Sequence, residues 1–445
     1  MNTPQKKVAA IVTEYRVRSH ADNIVTRLLE GYDLQGVPVR PRVEVAALYT
    51  DQVPANDISR ELAAQHAVPI FPTIRETLTL GGDTLAVDGV VIVGEHGDYP
   101  WNEKGQHLYP RRRFFEETVA VFRQSGRVVP VFNDKHLAWN WADARWIYDT
   151  AQAMGIPLMA GSSMPFTPRC PPLHLPLGVE VEEIVVVAHG GLESYGFHAL
   201  EIAQCLAERR RGGETGVASV QCLTGGAFWE ALRAGSQWSR DLEAAALAEG
   251  AHGPGTPFEH YGARFARGEG GQESRGGQEA YGAQPGLGTR PTGERRESNE
   301  PAIFLVEYRD GLRLSVLMLN GYVTRRAAAV RVRGVPPSVD GAGGRTAGAP
   351  REVDTLAAWF MQPRGQPLWH FCHLVDHIER MVETGTPPNP IERTLLTTGL
   401  VDAALTSRHE GGRRLDTPYL DIAYRPPDEP AHHVRSATVR PVGRP

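Results

Sequence analysis

The order of apolar and polar positions divides the chain into two halves of different texture. Over the first 160 residues, short β-branched runs alternate with amphipathic stretches, the pattern of a parallel sheet whose strands are joined by crossover helices. The first strand is expected at 8–13. Ser19 and Asp22 can cap a helix running to Leu29, because short side-chain oxygens satisfy the unpaired N–H groups of a first turn. A second strand at 43–49 leads to Asp51, and a helix follows at 56–66. Residues 87–93 read as a buried strand and 113–124 as a helix. A strand at 128–132 then delivers Asn133, Asp134, Lys135 and His136. In open α/β sheets ligands sit at the carboxyl ends of the strands, so these loops are where chemistry is expected.

Beyond residue 160 the strand candidates are 181–188, 302–308, 312–319, 327–332 and 356–361, with Arg309, Asp310 and Gly311 as a tight hairpin connection. Helices are expected at 195–211 and 369–383. The fold class is therefore α/β: a Rossmann-like parallel-sheet domain over 1–160, then an α+β domain with a mainly antiparallel open sheet over 161–430, and a tail at 431–445. Residues from about 250 to 300 are rich in Gly, Glu, Gln, Arg and Ser with almost no aliphatic side chains, and are read as a flexible insertion. The Gly-rich stretch at 338–348 reads the same way.

Composition narrows the partners. At 445 residues the chain is long enough for two cores, and 47 Lys and Arg against 52 Asp and Glu, a net charge of −5, give no broad basic field. Neither nucleic acid nor a membrane surface is an expected partner, and a small molecule is. No stretch approaches a signal or membrane-spanning segment, so the expected location is the cytoplasm. Cys170, Cys205, Cys222 and Cys372 contain no CxxC pair, which suits reduced thiols.

The first βα turn runs Val12, Thr13, Glu14, Tyr15, Arg16, Val17, Arg18, Ser19, His20. A dinucleotide fingerprint places glycines at 12, 14 and 17, for the tight turn, for backbone approach to the pyrophosphate and for helix packing, and all three are absent. Arg16 and Arg18 could offer compensating charge, and Asp51 is placed to hold a ribose hydroxyl. Lys135, delivered by a buried strand, can hydrogen-bond a substrate hydroxyl, although an ion pair with Asp134 would serve structure alone. The run GGLESYGFHALE sets His198 near a helix start with Glu201 one turn on to orient its ring, although a lone helical histidine is more often a core residue. The loop GEHGDYPWNEKGQHLYPRRR over 94–113 carries Tyr99, Trp101 and Tyr109 for stacking on a sugar ring and Arg111, Arg112 and Arg113 to answer an acidic group. His370, His373 and His377 share one helix face, where a buried or interface role outweighs a zinc pair. Glu392 and Arg393 read as structural.

The lysine after Asp134, the apolar and Gly-rich IPLMAGSS at 156–163, and the Gly-x-His turn Gly196-Phe197-His198 with Glu201 beyond it together resemble the glucose-fructose oxidoreductase and inositol dehydrogenase family, Gfo/Idh/MocA. The resemblance covers most of the chain outside the insertion. It departs at the glycine turn, at His136 where the family has proline, and at Ser194 where it has aspartate. It implies a dehydrogenase that passes hydride between a sugar, glycoside or polyol and NAD or NADP, with Lys135 positioning the hydroxyl, His198 taking its proton and Glu201 in support. Thr13, Tyr15, Arg16, His20, Asp51, Glu95 and His96 would hold the cofactor. Tyr99, Trp101, His107, Asp134, His136 and Glu193 would contact substrate, and the C-terminal sheet would form a homo-oligomer. The departures leave two other readings. One is a metal-assisted lyase, hydrolase or isomerase without free nicotinamide, with Glu95, His96, His107, Asp134, His136 and His198 as divalent-metal ligands. The other is a non-catalytic binding relative.

Overall fold

Strands β1 (Lys6–Val12), β2 (Val43–Thr50), β3 (Gly89–Val93), β4 (Val131–Asp134) and β5 (Leu158–Gly161) form one parallel sheet in the order β2-β1-β3-β4-β5. This computed structural model describes residues 5–266, 298–333, 353–362 and 368–429. The near-continuous apolar runs arise because both faces of a parallel sheet are covered. Ala9 and Ile11 of β1 face one core while Val8, Ala10 and Val12 face another. Helices α1 (His20–Glu30), α2 (Arg111–Ser125) and α3 (Trp141–Met154) supply the covering layers. Ser19 caps α1 by accepting from the Asp22 N–H, as its position implied, and Asn140 caps α3 through Asp143. The chain leaves β1 to one side for β2 and to the other for β3, so the switch point lies between β1 and β3.

The second sheet has eight strands. In chain order they are β6 (Arg169–Cys170), β7 (Glu180–Ala188), β8 (Val217–Thr224), β9 (Ala302–Tyr308), β10 (Arg313–Met318), β11 (Ala327–Arg333), β12 (Asp354–Phe360) and β13 (Leu415–Asp416). Their order is β13-β8-β9-β10-β7-β11-β12-β6, antiparallel except where β7 meets β10. The expected hairpin between β9 and β10 is present, with the Gly311 N–H bonded to the Tyr308 carbonyl. One face packs on α4 (Ser194–Ala207). The other carries Val185, Val187, Ile303, Leu317 and Ala327, and it is covered by α5 (Gly225–Ala234), α6 (Arg240–Gly250) and α7 (Pro257–Ala266).

Helix α7 corrects part of the expected insertion, since 257–266 is helical. Most of the remainder, with the 338–348 stretch and the 431–445 tail, lies outside the described residues. Helix α8 (His370–Thr384) packs back on the first sheet through Phe371, Val375, Ile378 and Val382. Helix α9 (Glu392–His409) ties both halves together, because Thr394 donates to the Ala160 carbonyl, Thr398 accepts from the Leu137 N–H and Asp402 accepts from the Trp141 N–H. Among the described residues no helix is long and apolar enough to cross a membrane, and all four cysteines are free.

Candidate functional site

The carboxyl ends of β3, β4 and β5 bring Glu95, Lys135 and Ser162 side by side, and α4 from the second half adds Tyr195 and His198. Lys135 sits in the left-handed region at φ 60°, bridged through its backbone to Gly161. Its Nζ donates to Glu95 Oε1 at 2.6 Å, and Arg111 donates to Glu95 Oε2 at 2.5 Å. All three are buried. Burial alone would raise the Glu95 carboxyl, but the Lys135 and Arg111 cations hold it well below the usual range. Burial likewise opposes charge on Lys135, and Glu95 more than offsets it, so the ammonium persists. The alternative of a structural ion pair with Asp134 is not what forms; Lys135 pairs with Glu95. Asp134 is bonded to His20 Nδ1 at 2.6 Å.

His198 Nδ1 lies 2.6 Å from Ser162 Oγ. Burial, with Lys135 next, pushes its imidazole well below the usual histidine range, so the ring is neutral. Lys135 Nζ and the His198 ring each lie 5.8 Å from the centre of the Tyr195 ring, which places the two expected catalytic groups on one aromatic platform. That platform depends on Gly190, at φ 111°, because a Cβ there would collide with Tyr195. Asn320 clamps the turn by bonding both the N–H and the carbonyl of Gly190.

Glu201 makes its hydrogen bonds elsewhere than to His198. Its carboxylate accepts from the Thr397 hydroxyl at 2.5 Å and from the Ser162 N–H at 3.4 Å, and burial lifts its pKa to about 7. Ser162 and Tyr195 are residues of this cluster to which the sequence assigned no role. Ser162 was findable, since it follows a strand at the edge where ligands bind.

The expected substrate loop folds on itself. Trp101 stacks on His107 with ring centres 4.0 Å apart, the His107 N–H donates to Glu193 at 3.0 Å, and His107 Nε2 meets the Tyr99 carbonyl at 3.0 Å. Arg112 covers Trp146 and pairs with Asp143. His136 is buried against Phe197. The metal reading gains no support: among the described residues no group of three or more His, Cys, Asp or Glu side chains is placed to hold a metal ion. Glu95 and Asp134 are already engaged by Lys135, Arg111 and His20. His370 and His373 are buried, with pKa values lowered by burial to about 3 and about 4.

The residues at the first turn do not fit a dinucleotide held in this fold's usual manner. Asp51 accepts from Tyr49, Tyr99 and Arg113, so both its oxygens are engaged. Tyr15 turns inward, fully buried, onto Thr26. Thr13 bonds the Glu95 carbonyl, and Glu14 pairs with Arg16. At the start of α1 the Arg18 N–H donates to Asp22, and the His20 N–H to His96 Nδ1 at 3.5 Å. A pyrophosphate would need such N–H groups free.

No protein-family model matches the chain, and no curated protein matches it. Among solved structures, GenD2 from gentamicin A biosynthesis in complex with NAD is similar at 13% identity over 93% of this chain and 97% of that one, with a TM-score of 0.50. This is the Gfo/Idh/MocA fold. A myo-inositol dehydrogenase from Lactobacillus casei in complex with NAD(H) and myo-inositol aligns over 96% of this chain and 99% of its own at 13% identity and a TM-score of 0.48. Another, from Corynebacterium glutamicum, aligns over 93% and 99% at 12% and 0.47. At these identities the likeness concerns the fold alone. A groove of about 400 Å³ on the outer face of the second sheet, lined by Ser219, Gln221, Glu307, Arg313 and Ser315 among others, contains none of the expected site residues.

Proposed function

We propose that the chain is an oxidoreductase of the Gfo/Idh/MocA type that acts at a hydroxyl or carbonyl oxygen of a sugar, glycoside or polyol. The observation that carries this reading is the convergence of Lys135 and His198, from different halves of the chain, on the Tyr195 ring. The Lys135 ammonium, kept charged by Glu95, would polarise the reacting oxygen, and the neutral His198 imidazole would share the hydrogen bond to it. The hydride partner of such an enzyme is NAD or NADP. No step is assigned to it, given the poor fit of the first turn.

That misfit favours a second reading: proton-transfer chemistry on a carbohydrate, as in a lyase or isomerase, without free nicotinamide. The occupied Asp51 carboxylate is the observation behind it. Titrating the protein with NADH and NADPH and following nicotinamide fluorescence separates the two. Saturable binding supports the oxidoreductase, and no binding at millimolar cofactor removes it.

A further inference from the structure

We infer that Ser162 fixes the tautomer of His198, so that its Nε2 carries the proton and the site offers a ligand only donors from its two central groups. The ligand part of this inference rests on the reading just given, while the tautomer stands on hydrogen bonds alone.

Ser162 Oγ lies 2.6 Å from His198 Nδ1 and accepts the Met164 N–H at 2.9 Å. A serine hydroxyl has one hydrogen and two lone pairs. Were Nδ1 protonated, its hydrogen would take the second lone pair. The hydroxyl hydrogen would then be stranded, because Ser162 is 1% exposed and has no other acceptor among the described residues. Buried donors without acceptors are rare in folded proteins. The hydroxyl therefore donates to Nδ1, and the neutral ring carries its hydrogen on Nε2.

Ser162 is itself held in place. Lys135 and Gly161 exchange backbone hydrogen bonds of 3.1 Å immediately before it, and its own N–H donates to Glu201 Oε2. Glu201 thus acts on His198 through Ser162 and is a positioning residue. Its place also requires Gly161, at φ 119°, since a Cβ there would come within 2.8 Å of Glu201 Oε2.

His198 is bonded to Ser162 through Nδ1, and Nε2 lies on the opposite side of the ring. The sequence suggested that this ring receives a proton, but its one acceptor nitrogen is already engaged by Ser162. With Lys135 present as an ammonium, both central groups are donors. The ligand oxygen they suit is an acceptor: a ketone or aldehyde carbonyl, or a carboxylate, on a polyhydroxylated carbon chain.

The test uses the full chain labelled with ¹⁵N-histidine, with two-bond ¹H–¹⁵N correlation spectra at neutral pH. The His198 signals are assigned by their loss in His198→Gln. The expected wild-type pattern is a neutral ring protonated on Nε2 with a hydrogen-bonded Nδ1. In Ser162→Ala the Nδ1 resonance should move to the position of a free acceptor. An Nδ1-protonated ring or an imidazolium in the wild type would overturn the inference, as would an unmoved Nδ1 in Ser162→Ala. The wild-type pattern decides by itself if the alanine variant does not fold. None of these outcomes depends on nicotinamide binding, so the proposed function and this inference can fail separately.

Discussion

At the scale of single residues, two buried carboxylates carry opposite shifts. Glu95 compensates two buried cations, and Glu95→Gln would leave Lys135 and Arg111 without their counter-charge. A loss of about 3–5 kcal/mol is expected, measured by denaturant unfolding at neutral pH. Glu201 is shifted up, to about 7. Its unfolded value is about 4.3, so between those limits the folded state binds more protons than the unfolded state. Its stabilising contribution is therefore complete below about pH 4.3 and is lost as pH rises through about 7, a change of roughly 4 kcal/mol. Glu201→Gln cannot ionise; its amide oxygen can still accept from the Ser162 N–H, while its amide N–H donates to Thr397 Oγ, whose hydroxyl can turn to the Arg393 carbonyl. Stability curves from pH 5 to pH 8 should fall for wild type and be flatter for the variant. Parallel curves would assign the shift elsewhere. Lys135 and His198 were legible in the sequence because each occupies a recognisable turn. The partners that determine their protonation, Glu95 and Ser162, come from other strand ends, and spacing along the chain does not reveal them.

At the scale of elements, the strands were legible because β-branched runs mark them, although their ends shifted. The strand expected at 128–132 runs instead over Val131–Asp134, which places Asn133 and Asp134 inside the sheet and Lys135 directly at its edge. Helices α5 and α6 were missed, since their apolar positions serve the outer face of a sheet whose register the sequence does not give. The role of α9 was also hidden: Thr394 and Thr398 satisfy backbone groups beside the site, a pairing more than 200 residues apart in sequence. A Cβ at Gly399 would clash with Leu420 Cδ2 and crowd the Trp141 ring, so glycine lets this helix pack closely there. Gly399→Ala should lower stability by about 1–3 kcal/mol despite the better helix propensity of alanine, read as a drop in the urea midpoint. A gain would show that α9 can shift without loss.

At the scale of the whole molecule, the two-sheet architecture was readable from the change in texture near residue 160. The return of α8 to the first sheet was not, because its apolar stripe gives no indication of which layer it covers. The fold brings one donor group from each half to a shared aromatic ring, while the chain's own side chains take the contacts expected of a nucleotide. The expected sheet-mediated oligomer would have to use the part of the outer face that α5, α6 and α7 leave uncovered. The central claim is that Lys135 and His198 serve one reacting oxygen. It is tested most directly by following nicotinamide absorbance in both directions across a panel of polyols, aldoses and keto sugars, for wild type, Lys135→Ala and His198→Ala. Turnover of at least one member by the wild-type protein is expected, with a loss of at least a hundredfold in each variant, the range general acid–base groups contribute. Turnover that survives either substitution, or none by the wild type on any member of the panel, would contradict it.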